Sequence, residues 1–283
     1  MIAPLLDRVI DRAFEEDLAG GDLTTEACVD EGTRAVATAV VRRPLVACGG
    51  AVFARVFQRI DPSVEVEQLV EDGTEQPVGA ALWRVRGRAR SLLMGERTAL
   101  NFTQRMSGVA TIAHAYVKAL PVGSKTRVID TRKTTPGLRA LERYAVRTGG
   151  AHNHRDNLGS AVLIKDNHIV AAGGIATAVA RARTRAPHAS RIECEVASLA
   201  EFDEAVKARA DVILLDNFDM SDVREAVRRA NALGAGRPLL EVSGGITFVR
   251  IAELGGAGVD LISVGALTHS APAADIALDL ALG

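Results

Sequence analysis

The sequence is poor in the residues that mark several classes of protein. Aromatic residues make up only 4% of the 283 residues, and the three cysteines are Cys28, Cys48 and Cys194. Three widely spaced cysteines fit neither a disulfide framework nor a CxxC metal site. The chain has no run of about 18 apolar residues, so we expect no transmembrane helix. Its first residues lack a basic segment followed by an apolar run, so we expect no secretory signal.

The overall charge also excludes one class of partner. The formal net charge is −1, whereas a general nucleic-acid binder carries a strongly basic face. Apolar residues make up 48% of the chain, which is enough to bury a sizeable core. These features predict a reduced, cytoplasmic, globular protein without nucleic-acid or membrane partners.

The near-neutral total hides two segments of opposite charge. Residues 125–168 contain nine basic and four acidic side chains, a net charge of +5. Residues 191–241 contain seven basic and eleven acidic side chains, a net charge of −4. Many of these charges lie on solvated helix faces. The charges that directly follow predicted strands are the candidates for a function.

Six short apolar runs divide the second half of the chain into strand–helix units. The runs begin 21 to 34 residues apart, which is the spacing of βα units in a parallel sheet or barrel. They lie at 127–129, 161–164, 191–196, 212–215, 239–242 and 261–264. Because six strands are fewer than the eight of a standard barrel, the residues leave a doubly wound sheet and a β/α barrel open.

The first 120 residues predict a separate α+β domain, and 121–270 the α/β barrel domain. Within the first domain the apolar spacing predicts helices and strands. The helices are 1–18 and 91–120, the second interrupted near Gly108, and the strands are 35–41, 64–69 and 81–85. Residues 273–280 predict another helix, so that a C-terminal helix within 271–283 would pack back on the first domain. In the barrel domain, Thr135 followed by Pro136 predicts a helix N-terminus, and Gly149 its end.

Basic side chains follow the first two predicted strands of the second half. Ligands of parallel α/β folds bind beyond the carboxyl ends of the strands, so these side chains are candidates for binding. Arginine pairs bidentately with a carboxylate and lysine acts as a point charge, so the cluster suits a compact polyanion. Its members are Arg132, Lys133, His154, Arg155 and Lys165.

Acidic side chains and glycines end the later strands. Glu195 and Asp216 suit Mg²⁺ with its waters, the hydroxyl groups of a sugar, or a developing cation. Two small-residue loops, 243–245 and 265–266, follow the last two strands, where barrels place a phosphate on backbone N–H groups. The residues alone therefore predict a composite ligand: a polyanion, a sugar phosphate and a divalent metal bridging to a diphosphate.

The same residues lie in motifs of a known family. The motifs include Asp130-Thr-Arg-Lys-Thr-Thr-Pro-Gly-Leu-Arg139, Asn153-His-Arg155, Leu163-Ile-Lys-Asp-Asn-His168, Leu214-Leu-Asp-Asn217, Glu241-Val-Ser-Gly-Gly245 and Val264-Gly-Ala-Leu-Thr-His269. In these motifs the chain resembles the quinolinate phosphoribosyltransferases (nicotinate-nucleotide pyrophosphorylases, carboxylating), the type II phosphoribosyltransferase family. The resemblance covers essentially the whole chain and is densest from Glu96 onwards.

This resemblance implies an activity, a fold and an assembly. The activity is that of a pentosyltransferase of NAD biosynthesis. It converts quinolinate and phosphoribosyl diphosphate to nicotinate mononucleotide, diphosphate and CO₂, with Mg²⁺. The fold is an N-terminal α/β sandwich domain with an incomplete α/β barrel of fewer than eight strands. The assembly is a homodimer or higher oligomer, in which Arg97 completes the site of the neighbouring subunit.

The resemblance also implies a role for each site residue. Those assigned to quinolinate are Arg97, Thr131, Arg132, His154, Arg155 and Lys165. Those assigned to phosphoribosyl diphosphate are Lys133, Glu195, Asp216, Ser243, Gly244, Gly245, Val264, Gly265 and Ala266. Lys133, Lys165, Glu195 and Asp216 are the expected catalytic residues, and Glu195 and Asp216 the expected ligands of Mg²⁺, directly or through water.

Three other functions are weighed against this one. The first is the molybdenum-transport-associated paralogue, which the Asn153-His-Arg155 and Lys165-Asp-Asn-His168 motifs fit less well. The second is an aldolase that uses Lys165 as a Schiff-base lysine at a strand end. The third is a non-catalytic sensor of a phosphorylated metabolite, for which paired carboxylates opposite a diphosphate site have little use.

Overall fold

The computed structural model describes residues 3–283. The chain forms two compact units, each with its own set of internal contacts. The first unit comprises the residues up to 114 together with 134–150 and 266–283. The second unit comprises 115–133 and 151–265. No helix within the described range combines the length and apolar character needed to cross a bilayer.

Residues 3–283 form twelve strands and eleven α-helices, which alternate regularly only in the second half of the chain. The strands are β1 (Arg34–Val41), β2 (Leu45–Val46), β3 (Glu65–Gln68), β4 (Glu75–Gln76), β5 (Ala81–Arg88), β6 (Arg127–Ile129), β7 (Val162–Ile164), β8 (Ile192–Val196), β9 (Val212–Asp216), β10 (Leu239–Ser243), β11 (Leu261–Ser263) and β12 (Ile276–Leu282). The helices are α1 (Ala3–Asp17), α2 (Leu23–Cys28), α3 (Gly50–Ile60), α4 (Ala89–Lys118), α5 (Arg139–Thr148), α6 (Asp166–Ala172), α7 (Ile175–Arg185), α8 (Leu199–Lys207), α9 (Met220–Ala232), α10 (Arg250–Ala257) and α11 (Ala266–His269).

The first unit contains an antiparallel four-stranded sheet with the order β12-β1-β5-β3. Along β1, every second residue is buried, as expected for a sheet with one face against a core. Trp83 of β5 and Phe53 of α3 are both fully buried, with ring centroids 4.9 Å apart. Helix α3 therefore covers one face of the sheet.

The closing segment is a strand, and the predicted helix over 273–280 is wrong. Strand β12 pairs antiparallel with β1, from Ile276 opposite Val41 to Leu282 opposite Ala35. Alanine and leucine favour helices, but pairing along a whole strand outweighs that intrinsic preference. The first unit thus takes its edge strand from the far end of the chain.

Two predictions about helix ends are also wrong. Helix α4 runs without a break through Gly108, whose missing side chain admits the backbone of Pro272. Helix α5 begins at Arg139 rather than after Thr135. Its start is delayed because the buried Glu142 accepts hydrogen bonds from the Thr135 amide and hydroxyl, at 3.0 and 2.7 Å. The predicted end of this helix at Gly149 is confirmed.

The second unit is an open sheet of six parallel strands. The order is β6-β11-β10-β9-β8-β7. Strands that follow one another in the sequence lie side by side, apart from β6 and β7, which form the two edges of the sheet. Ile129 of β6 bridges to His152, which precedes β7, and no ladder joins β6 to β7 within 3–283. The expectation of an incomplete α/β barrel with fewer than eight strands is confirmed, because the six strands do not close into a ring within residues 3–283. One face of this sheet carries the polar residues of the candidate site.

Candidate active site

Polar side chains share one face of the parallel sheet near the carboxyl ends of its strands. The register places Leu214 of β9 between Glu195 of β8 and Glu241 of β10. Two residues further along β9, Asp216 is the partner of Ser243. Side chains alternate between the faces of a strand, so residues two apart share a face. Glu195, Asp216, Glu241 and Ser243 therefore lie on the same side of the sheet.

An ion pair joins two of the candidate catalytic residues. Lys165 follows β7 directly, and its Nζ lies 2.5 Å from Oε2 of Glu195. The Lys165 side chain is 47% exposed and that of Glu195 is 15% exposed. A half-exposed pair of this kind typically contributes less than about 1 kcal/mol to stability. A ligand can therefore replace this ion pair at a small cost in free energy.

Two arginines of the predicted cationic cluster are electrostatic neighbours. Burial lowers the pKa of Arg155, and the positive charge of nearby Arg132 lowers it further, while Glu193 opposes both. The Arg155 side chain is held by a hydrogen bond from Nη1 to the carbonyl oxygen of Ala161, at 3.2 Å. Like charges held close together favour an anion, which relieves their repulsion. This arrangement suits a molecule that carries carboxylates.

A histidine and two buried carboxylates lie deeper in the same unit. Nε2 of His154 is 3.1 Å from Oε2 of Glu193 and 3.7 Å from Oε2 of Glu241. Burial, followed by the charge of Glu193, raises the pKa of Glu241 well above its usual value. The second oxygen, Oε1, of each glutamate is buried and has no hydrogen-bond partner among residues 3–283. Two carboxylates so poorly compensated are expected at a functional site rather than in a structural core.

Another buried carboxylate organises the residues around the histidine. Asp130 is fully buried at the end of β6. Its Oδ1 accepts the backbone N–H of His154 at 2.7 Å, and its Oδ2 accepts the amide of Asn153 at 2.6 Å. Asp130 therefore fixes the segment that leads to Arg155.

The loop after β10 depends on glycine. Gly244 has a φ of +88°, a left-handed conformation that L side chains rarely adopt. A Cβ at this position would lie 2.1 Å from Oδ1 of Asn217 and 2.8 Å from its backbone nitrogen. The backbone N–H of Asn217 also donates to the backbone carbonyl oxygen of Ser243 at 3.0 Å. The loops after β9 and β10 are thus packed directly against each other.

The remaining predicted site residues fall in several places. Lys133 is exposed, and its backbone N–H donates to Oγ1 of Thr131 at 3.1 Å. Val264 is buried after β11, and its N–H donates to the carbonyl of Ile129. Gly245 is exposed and Gly265 half-buried. Ala266 begins α11 and Arg97 lies exposed on α4, both within the first unit.

The residue pattern could have revealed the carboxylates that sequence reasoning left out. Glu193 and Glu195 are separated by one residue of a strand, so the period of two places both on one face. Glu241 stands between apolar residues in the middle of β10. A charge inside an apolar strand, rather than at its end, is the signal that identifies both Glu193 and Glu241.

The two carboxylates predicted to hold Mg²⁺ fit that ion as part of its ligand set. Glu195 and Asp216 are half-buried oxygen donors on the same face of neighbouring strands. Oδ2 of Asp216 accepts from the Asn217 side-chain amide at 2.8 Å, which orients it. Protein sites for Mg²⁺ usually supply one or two carboxylates and leave the other positions to substrate phosphates and water. The residues present match that pattern.

Comparison with known proteins places the chain in a family. The family model described as "Quinolinate phosphoribosyl transferase, C-terminal domain" matches residues 109–279, and that described as the N-terminal domain matches 22–107. The chain belongs to the quinolinate phosphoribosyltransferase family. A curated family member from Mycobacterium leprae, "Nicotinate-nucleotide pyrophosphorylase [carboxylating]", is 44% identical over 274 residues, which cover 96% of this chain and 95% of that protein. The human protein of the same name is 39% identical, over 97% of this chain and 91% of its own length.

Solved structures of quinolinate phosphoribosyltransferase family members agree with the fold. The crystal structure of NadC from Streptococcus pyogenes has a TM-score of 0.94 and 39% identity, and the similarity covers 100% of this chain and 99% of that one. The nicotinate-nucleotide pyrophosphorylase from Francisella tularensis has a TM-score of 0.93 and 38% identity, covering 99% and 98% of the two chains. Both units therefore have counterparts in these relatives.

Proposed function

We propose that this member of the quinolinate phosphoribosyltransferase family is a pentosyltransferase that makes nicotinate mononucleotide. Its substrates are quinolinate and phosphoribosyl diphosphate, and its other products are diphosphate and CO₂. One observation carries the proposal beyond family membership. The second unit holds Arg132 and Arg155 as neighbours and, on one face of its sheet, the carboxylates Glu195 and Asp216. This combination suits an anionic acceptor beside a sugar that becomes cationic.

Arginines and a lysine bind the two carboxylates of quinolinate in this proposal. Arg132 and Arg155 pair with carboxylates, Lys165 adds a point charge, and Thr131 and His154 assist. Each charge-assisted contact contributes about 1.5–3 kcal/mol net, so three or four suffice for micromolar binding after the costs of association.

Phosphoribosyl diphosphate occupies the acidic and glycine-rich side of the proposed site. Glu195 and Asp216 serve the ribose and would hold Mg²⁺, directly or through water, and Lys133 serves the diphosphate. Backbone N–H groups of two loops donate hydrogen bonds to the 5′-phosphate. These loops are 243–245 and 264–266, of which Ala266 already begins α11.

The residues act by electrostatics rather than through a covalent intermediate. As diphosphate leaves the anomeric carbon, positive charge develops there, and Glu195 and Asp216 stabilise it. Mg²⁺, when bound, neutralises charge on the departing diphosphate. Lys133 adds to that neutralisation, while Lys165 acts at the quinolinate carboxylates. The pyridine nitrogen becomes cationic when its bond to the ribose forms, and this charge stabilises the carbanion left on the adjacent ring carbon when its carboxylate departs as CO₂. A proton from solvent then forms the C–H bond of the product at that carbon.

A direct assay tests the proposed reaction. The protein is incubated with quinolinate, phosphoribosyl diphosphate and Mg²⁺, and nicotinate mononucleotide and CO₂ are measured. We expect both products in equal amounts and no product when Mg²⁺ is removed with a chelator. Nicotinic acid is tried in parallel, and its use in place of quinolinate would contradict the substrate assignment.

We also propose a cytoplasmic homodimer or higher oligomer in which Arg97 acts in the neighbouring subunit's site. The exposure of Arg97 on α4 is compatible with this role. Mixing inactive Arg97→Ala and inactive Lys165→Ala chains creates hybrid sites, some of which keep both residues. We expect partial recovery of activity. No recovery despite proven subunit exchange would refute the trans role.

The aldolase and sensor alternatives are separated from this function by two measurements. A Schiff-base lysine reacts as a free amine, whereas Lys165 is paired with Glu195 at 2.5 Å. Borohydride trapping of Lys165 with a carbonyl substrate would favour the aldolase. Binding of both substrates without any CO₂ release would favour the sensor.

A further inference from the structure

His154 makes hydrogen bonds through both of its ring nitrogens. Nδ1 lies 2.7 Å from the backbone nitrogen of Arg155, and Nε2 lies 3.1 Å from Oε2 of Glu193. A backbone N–H can only donate, so Nδ1 must accept, and the neutral ring carries its proton on Nε2. The Nε2–H group then donates to Glu193. The surroundings therefore select one tautomer of the ring.

Both ends of this series of hydrogen bonds are held in place. Glu193 is 8% exposed within β8, and the His154 side chain is 12% exposed. Asp130, fully buried, holds the backbone N–H of His154 at 2.7 Å. Two carboxylates, Asp130 after β6 and Glu193 in β8, therefore hold His154, and His154 in turn holds the backbone of Arg155. Such buried, hydrogen-bonded supports are what keep a binding group in one geometry.

A metal site at the same three side chains is the competing interpretation. Ligand atoms of His154, Glu193 and Glu241 all lie within 4.8 Å of one another. A metal would need the lone pair of Nε2, however, because Nδ1 is taken up by the Arg155 amide. In the arrangement described, Nε2 carries the proton instead. The hydrogen bonds therefore favour a supporting role over metal binding.

We propose that Glu193 and His154 form a positioning pair for the anion-binding Arg155. Glu193 fixes the Nε2–H tautomer of His154, and Nδ1 of that ring holds the backbone of Arg155 so that its guanidinium meets a carboxylate of quinolinate. His154 thus assists quinolinate binding by holding Arg155. The identity of the anion rests on the proposed function, whereas the hydrogen bonds do not.

The tautomer is measurable without any enzyme activity. In the full-length protein labelled with ¹⁵N-histidine, the ring nitrogens of the six histidines are observed by NMR near neutral pH, and the His154 signals are those lost in H154N. We expect a protonated Nε2 and an unprotonated Nδ1. A protonated Nδ1, or metal-induced shifts of the same signals when Zn²⁺ is added, would overturn the proposal.

Kinetics of two Glu193 variants test the link to Arg155. E193L removes the acceptor for Nε2–H, while E193Q keeps a carbonyl oxygen that can accept. For E193L we expect KM for quinolinate to rise about tenfold, the size of one lost hydrogen bond, and KM for phosphoribosyl diphosphate to change less than about twofold. E193Q recovers most of the lost quinolinate affinity. Equal rises in both KM values, or no recovery in E193Q, would contradict a positioning role.

His154 variants decide the matter if E193L fails to fold. Asparagine places its Oδ1 near the position of Nδ1, whereas glutamine places its Nε2 near that of the ring Nε2. We expect H154N to retain more quinolinate affinity than H154Q, because the acceptor for Arg155 is preserved. Better retention in H154Q would mean that the ring donates directly to the substrate. Failure of the unaltered protein to turn over quinolinate would refute the proposed function but leave the tautomer result standing.

Discussion

Asp61 in the first unit and the Glu193–Glu241 pair in the second unit are buried carboxylates with opposite environments. In the first unit, Asp61 accepts hydrogen bonds on both oxygens, from Ser63 on Oδ1 and from Ser91 and Arg88 on Oδ2. In the second unit, Glu193 and Glu241 each keep one buried oxygen without a partner among the described residues. The same chemical group is satisfied on both oxygens at Asp61, as it also is at Asp130 of the second unit, and lacks a partner on one oxygen at Glu193 and at Glu241.

This difference separates residues that stabilise the fold from residues reserved for function. A buried carboxylate with partners on both oxygens is stabilising, whereas an unsatisfied one costs about 1–3 kcal/mol. Proteins retain such a cost where binding or catalysis requires it. We therefore expect substitution of Asp61 to change stability and substitutions around the second unit's polar face to change activity.

The largest effect is expected from Lys165→Ala. This change removes a proposed catalytic residue and its point charge at the quinolinate carboxylates, so turnover falls by on the order of a hundredfold or more, while Tm hardly changes because the ion pair is half exposed. The rate of nicotinate mononucleotide formation and the melting curve measure the two effects. Lys207→Ala, at an exposed lysine of α8, is the matched control and keeps full activity. A large loss of stability in Lys165→Ala with normal turnover would reverse the comparison.

Arg132→Ala lowers turnover strongly at ordinary quinolinate concentrations, because a bidentate carboxylate partner is lost. Since such a contact contributes about 1.5–3 kcal/mol, KM for quinolinate rises roughly ten- to a hundredfold. Arg132→Lys serves as the control for charge without bidentate geometry, and its KM lies between the other two. Quinolinate affinity is measured by calorimetry as well as kinetics. Near-normal affinity in Arg132→Ala would count against the assignment.

Gly244→Ala sharpens the comparison, since it is a change in the second unit that does affect stability. The left-handed φ and the approach of Asn217 oppose a side chain, so we expect a loss of about 2 kcal/mol in the free energy of unfolding. Urea denaturation measures it. Gly256→Ala in α10, where a Cβ meets nothing within 4 Å, is the control and costs nothing. Equal stability of the two variants would show that the loop adapts.

The smallest effect is that of Asp61→Asn, in the first unit. Hydrogen bonds from Ser63, Ser91 and Arg88 hold the pKa of Asp61 well below its usual value of 3.8. The stabilisation is therefore present above about pH 4 and is lost as the pH falls toward the folded-state pKa. We expect Asp61→Asn to cost about 1–2 kcal/mol at pH 7, less below pH 4, and nothing in kcat. Denaturation curves at both pH values test this, and a loss that grows on acidification would contradict it.

The parallel strands were predictable because their signal is local. Apolar, β-branched runs such as that ending at Leu215 recur at βα spacing, and the observed bounds differ from the predicted ones by only a residue or two. The closing strand was not predictable in the same way. Ile276–Leu282 is rich in alanine and leucine, and only its pairing with β1, distant in sequence, makes it a strand.

The candidate site was predictable only where charges follow strands. Lys165 and Glu195 were found by that rule, but nothing in the sequence shows that they form an ion pair, because the register of β7 and β8 sets that contact. The charge of Glu193 inside an apolar strand marks it as a candidate, but its contact with His154 was not predictable, for a related reason. Its partner His154 lies 39 residues away, and hydrogen bonds of that range become visible only in the folded chain.

Strand β12 imposes an order of events on synthesis. Arg42 and Asp279 form an ion pair across β1 and β12 although 237 residues separate them. Until the whole second unit has been made, β1 remains an open edge, the kind of surface that invites pairing with other chains. The first unit to leave the ribosome is thus the last to be finished, and a nascent chain must keep that edge protected while six parallel strands are added behind it.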